Sequence, residues 1–191
     1  MKTLCLLLLI PMTALASHDA QHRCDYSIPG YVPNRFEIQQ NGSVFDTVTG
    51  LEWQRCSLGE SWSEELQQCL GYPQQANWRD TLFSVVLFNQ EQLALGRDNN
   101  WRLPNIKELT SIVSMHCATP SIDTEIFPDA ASSYWSSTPY MSNTVQSLVD
   151  GVVILENAAW NVNFSFTAQE QALGISQLSA ARLVRNAGTT Q

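Results

Sequence analysis

The chain has 191 residues with 10 basic and 18 acidic side chains, a formal net charge of −8, and 44% hydrophobic residues. That length fits one domain with a core of its own. The acidic balance disfavours nucleic acid and anionic membrane surfaces, which need clustered cations to release counterions.

The first predicted element is a targeting segment. Lys2, the apolar run from Leu4 to Ile10 and the Ala14-Leu15-Ala16 site read as a signal peptide over residues 1–16, cleaved after Ala16. The run is too short to span a bilayer, and Cys5 lies at its start rather than after it, so a lipid anchor is not expected. The expected product is an exported chain located in the periplasm, on the cell surface or outside the cell.

After cleavage Cys24, Cys56, Cys69 and Cys117 remain. An even count in an exported chain reads as two disulfides, with three connectivities open. The favoured one is Cys56–Cys69 as a local staple, leaving Cys24–Cys117 to tie an N-terminal arm, residues 17–33, to the end of a helix. Each bridge is expected to stabilise by roughly 2–4 kcal/mol. No C-x-x-C pair is present, and no metal or cofactor is expected.

Phe36 and Ile38, then Val44 and Phe45, then Leu51 and Trp53 alternate with polar residues around turn signals at Asn41-Gly42 and Thr49-Gly50, predicting a three-stranded meander. Residues 56–76 read as a loop holding the staple. A helix should start at Asn77, capping the amide of Asp80, bury Trp78, Leu82, Val85 and Val86, and fade near Asn89 ahead of a polar loop over 90–100. A second helix should carry Pro104 in its first turn, bury Ile106, Leu109, Ile112 and Val113, and end near Met115–Cys117. Residues 121–147 read as loop. Val152–Leu155 reads as a short strand, and Trp160, Val162, Phe164 and Phe166 as the inward positions of a half-buried strand. Ala181–Arg185 reads as a closing strand. The fold class is α+β, two helices packed on antiparallel sheet with long loops. Asn77-Trp78-Arg79 and Asn100-Trp101-Arg102 echo each other over too few residues to indicate a repeat.

Several segments in fixed order resemble one bacterial family: Arg35-Phe36, Asn41-Gly42-Ser43-Val44-Phe45-Asp46, and Thr49-Gly50-Leu51-Glu52-Trp53-Gln54-Arg55-Cys56. The pattern continues through Trp101-Arg102-Leu103-Pro104-Asn105-Ile106-Lys107-Glu108-Leu109, Phe127-Pro128 and Tyr134-Trp135-Ser136-Ser137-Thr138. It closes with Trp160-Asn161-Val162-Asn163-Phe164 and Arg182-Leu183-Val184-Arg185. In this order they resemble the Lcl C-terminal domain, over about residues 34–186, with 187–191 as a tail. The resemblance implies a C-type-lectin-like fold in an exported protein and, in the namesake adhesin, a trimer binding sulfated polysaccharide. This chain has no Gly-x-y segment to enforce a trimer, and its negative charge opposes polyanions.

Trp101, Arg102, Tyr134, Trp135, Asn161 and Asn163 are the candidate ligand residues. Aromatic faces stack on sugar rings, an Arg fork binds carboxylate or sulfate, and amides bond hydroxyls. The tripeptides that bind calcium in C-type lectins are absent, Val162 standing where a carboxylate is needed. Asp123, Glu125, Asp129 and Asp150 are the alternative acidic set. With three histidines and no nucleophile elbow, zinc motif or P-loop, no enzyme is expected. The expected function is a binding module for a glycan or for surface adhesion. The alternative is an accessory subunit of a pilus or envelope assembly, with a homo-oligomer left open.

Overall fold

The computed structural model describes residues 23–141, 146–149, 152–155, 157–165 and 168–188. The signal segment, the arm up to residue 22, Asp150 and Phe166 lie outside them. In chain order the elements are β1 (Arg23–Cys24), β2 (Phe36–Ile38), β3 (Ser43–Asp46), β4 (Leu51–Gln54), β5 (Glu60–Ser63), β6 (Gln68–Gly71), α1 (Trp78–Ala94), α2 (Ile106–Ser111), β7 (Cys117–Ala118), β8 (Ser133–Tyr140), β9 (Gln146–Val149), β10 (Val152–Leu155), β11 (Ala158–Asn163), β12 (Gln169–Gly174) and β13 (Val184–Asn186). Antiparallel sheet dominates, with two helices and two disulfides, as the α+β reading expects.

Gly42 (φ 80°) and Gly50 (φ 69°) reverse the chain at the two turn signals, in a backbone region costly for any residue with a Cβ. A Cβ on Gly42 would also collide with the ring of Trp62. The meander β2–β3–β4 follows, and β13 adds to the free edge of β4, giving the order β13-β4-β3-β2. A second sheet has the order β12-β11-β8. Smaller ladders pair β5 with β6, β9 with β10 and β1 with β7.

Both favoured disulfides form. Cys24–Cys117 joins β1 to β7, and Cys56–Cys69 joins the chain after β4 to β6. Residues 56–76 are therefore not a plain loop, because β5 and β6 make a hairpin that the staple anchors.

Helix α1 starts where expected, with Asn77 Oδ1 accepting from the amide of Asp80. It continues past Asn89 to Ala94. The Asn89 side chain bonds the backbone of Trp101 in both directions, at 2.7 and 3.0 Å, instead of competing with the helix. Val85 is buried as expected, but Val86 is half exposed and Thr81 takes its place inside. In α2 the cap is Asn105, and Pro104 precedes it. Asn105 and Glu108 form a reciprocal capping box, and the helix ends at Ser111. The largest departure is β8, an eight-residue strand running through the segment expected to be loop.

Two clusters make the core. Val44, Trp53, Leu109, Phe127, Tyr134 and Val162 lie in the first, and Val85, Trp101, Leu103, Trp135 and Leu183 in the second. Residues 180–184 run between them: Ala180 and Val184 face the first, Ala181 and Leu183 the second. Arg182 sits in the middle, fully buried. Its guanidinium donates to the carbonyls of Gln54 and Arg55 and, at 2.8 Å, to the hydroxyl of Tyr134. It also lies over the rings of Phe127 and Tyr134 at 5.0 and 5.1 Å. Burial, followed by the nearby Arg182 cation, pushes Arg55 below the usual guanidinium range, and Arg55 is held by the carbonyls of Glu125 and Ile126 at 2.9 Å.

Arg182→Met keeps an unbranched buried side chain but leaves two carbonyls without their donor. We expect a loss of about 3 kcal/mol, on the order of 1 kcal/mol for each bond removed, read as a lower urea midpoint at unchanged slope. A variant as stable as the parent would show that burying the cation costs as much as its bonds contribute.

Candidate functional site

The six candidate ligand residues do not converge on one surface. Tyr134 and Trp135 are adjacent on β8, both at 0% exposure, one in each core cluster. Trp135 donates its indole N–H to the carbonyl of Ala76 at 2.9 Å. The Tyr134 hydroxyl meets Arg182, Ser57 and the amide of Ala131. Trp101 is buried beneath Arg185, whose guanidinium lies 4.5 Å from its ring and forks onto Glu52. Asn161, on the central strand β11 of its sheet, is buried, and its amide bonds Ser179 and Gln171. Asn163, half-buried, accepts the amide of Ser165. Arg102 forks onto Glu108 with two bonds of 2.7 Å. The expected sugar platform is therefore corrected: rings enclosed on all sides offer no stacking face, and the amides and guanidinium already have partners.

Of the acidic set, Asp150 lies outside the described residues, and Asp123, Glu125 and Asp129 do not form a group spaced to hold a metal. Asp123 accepts from the hydroxyl of Tyr26 and from the amide of Glu125, and burial followed by that contact with Asp123 raises the Tyr26 phenol above its ordinary value. Among the described residues, Cys24, Cys117 and Asp123 are the one group spaced to hold a metal. The two sulfurs are joined to each other, so neither is a free thiolate to ligate.

An accessible site lies elsewhere. The first turns of α1 and the end of β8 border a cleft of about 410 Å³, walled by Trp78, Leu82, Pro139, Tyr140, Met141 and Ile175, with Arg79 and Asn157 also lining it. Local chemistry fixes these walls. The Trp78 amide bonds the carbonyl of Ile175 at 3.1 Å, and its indole N–H bonds Ser136 at 2.8 Å, so its orientation is set while the residue stays half-buried. The amide of Ile175 bonds Asn157 at 3.0 Å. Tyr140 packs edge-on against Trp160, centroids 5.0 Å apart. Among the described residues, the lining holds no carboxylate, imidazole or thiol. What it can do is shelter an apolar group beside two or three polar contacts. Sequence reading missed these residues, although Asn77-Trp78-Arg79 was visible as the echo of Asn100-Trp101-Arg102. Of the two tryptophans in that echo, the fold buries Trp101 and brings Trp78 to the cleft.

Residues 42–185 match the family model of the Lcl C-terminal domain. No curated protein matches the chain. Among the described residues, no helix is long and apolar enough to cross a membrane.

The Arg102–Glu108 pair reports on the start of α2. Burial pushes the Glu108 carboxyl up, but bonds from Arg102 and from the amide of Asn105 outweigh it, and its pKa is lowered. The pair therefore stabilises the fold above the unfolded carboxylate value of about 4.3, and this is lost as pH falls through the lower folded value. Glu108→Gln keeps the reach of the capping box and removes the charge. We expect it to cost about 0.5–1 kcal/mol at pH 7, reduced by solvent at the half-exposed Arg102. Urea unfolding at neutral and acid pH should show the two proteins converging below about pH 4.

Proposed function

The chain belongs to the Lcl C-terminal domain family, and from that premise we propose that it is a non-catalytic binding module working outside the cytoplasm, with the cleft beside α1 as its ligand seat. The observation that carries this is the cleft itself, about 410 Å³ with mostly apolar walls and, among the described residues, no carboxylate, imidazole or thiol in its lining. Two disulfides support an oxidising compartment, in keeping with the signal segment read at residues 1–16. Antiparallel sheets with two helices support the C-type-lectin-like fold proposed for the family.

The ligand presents an apolar face. A polysaccharide is a poorer fit, because sugar hydroxyls brought against apolar walls lose water without replacement partners. Polysaccharide adhesion remains the second reading, favoured by the Tyr140–Trp160 pair beside Trp78 as a stacking surface. An accessory role in a pilus or envelope assembly draws support from the outer side of α1, where Phe83, Val86 and Leu87 are 48–62% exposed.

Methionine methyl groups test the seat directly. Met141 lines the cleft, whereas Met115 is equally exposed but not part of its lining. Titration of methyl-labelled protein with 1-octanol should shift the Met141 resonance saturably and leave Met115 unmoved, and Ile175→Asp should abolish the shift. Glycan-array binding lost in Met141→Glu would establish the polysaccharide reading instead. Neither response would leave the assembly role.

A further inference from the structure

We infer that the group seated in the cleft carries a single carboxylate, with Arg79 as its counter-ion: an amphiphile with an apolar body and one anionic head. This rests on the cleft being the ligand seat. The arginines of this chain are mostly committed to its own structure. Arg35 forks onto Asp46, Arg102 onto Glu108 and Arg185 onto Glu52. Arg55 and Arg182 are bound to backbone carbonyls. Among the arginines whose side chains are described, which leaves out Arg23, Arg79 and Arg97 make no side-chain bond to the described protein, and of these two Arg79 lines the cleft.

The rest of the lining defines the body of the ligand. Trp78, Leu82, Pro139, Tyr140, Met141 and Ile175 offer apolar contact, while Asn157 and the Tyr140 hydroxyl are the other polar groups. A neutral polyol would leave most of its hydroxyls unpaired against such walls, whereas an alkyl or aryl chain is favoured by burial. The head must be anionic to use a guanidinium, and a planar carboxylate matches its paired donors. The neighbouring acid in sequence, Asp80, accepts from the side-chain amide of Asn77 at 2.8 Å. In a chain of net charge −8, a free cation at the mouth of an apolar cleft selects for an anion that the surrounding surface would otherwise repel.

The experiment compares octanoate with 1-octanol on the methyl-labelled protein, reading Met141. Octanoate should bind roughly tenfold more tightly than the alcohol, the size of a charge-assisted contact. Affinity should rise about fourfold for each methylene from hexanoate to octanoate. Arg79→Gln, at an exposed position, should erase the preference for the carboxylate and leave alcohol binding intact. Equal binding of acid and alcohol by the parent protein would overturn the anionic head while leaving the cleft as a seat. A preference that survives in Arg79→Gln would remove Arg79 from the role. If neither probe moved Met141, the cleft reading itself would fail, and the inference with it.

Discussion

The guanidinium of Arg182 is the point on which the two core clusters and two sheets meet. It is fully buried, and no carboxylate is among its bonded partners. Its charge is met by the carbonyls where β4 ends, the hydroxyl of Tyr134 near the start of β8, and two aromatic faces. A cation in such surroundings loses its water, and oriented dipoles are what replace it. Because those dipoles come from segments far apart in sequence, they reach it together only when the sheets are in their native relation. The strand-like run from Ala180 to Val184 can then send alternate residues into opposite clusters without leaving a gap.

The cleft depends on that arrangement at second hand. β8 lies between the clusters, with Tyr134 in one and Trp135 in the other, and this fixes where Pro139, Tyr140 and Met141 emerge. The other wall is the start of α1, held by the Asn77 cap and by the bonds from Trp78 to Ile175 and Ser136. A rigid scaffold thus sets both walls, and the side chains between them are the ones left half open.

Local signals in the sequence were legible wherever a residue acts on its immediate neighbours. The two glycine turns, the three-stranded meander of residues 36–54, the Asn77 cap and the local Cys56–Cys69 staple all depend on short-range geometry, and all appear as read. β8 was hidden for a physical reason: a strand between two clusters buries consecutive residues, so Tyr134 and Trp135 break the alternation that marks a strand. Its serines and Pro139 then resemble loop composition. Asn161 was read as a ligand-binding amide on the outward side of a half-buried strand because its neighbours alternate, whereas Ser179 and Gln171 meet it there and the position is interior. Trp101 and Trp78 stand in near-identical tripeptides, so nothing local distinguishes the buried ring from the one at the cleft. Helix α1 is apolar on both sides, with Val85 inside and Phe83, Val86 and Leu87 outside, which blurred the position of its inner face.

The cleft draws on residues 78–82, 139–141, 157–158 and 175, a span of nearly one hundred positions. No single segment of the chain supplies the whole of its lining. A ligand that binds there recognises the finished molecule and adds to its stability by mass action. Occupancy of that seat is then a certificate that segments nearly one hundred positions apart have closed on one another.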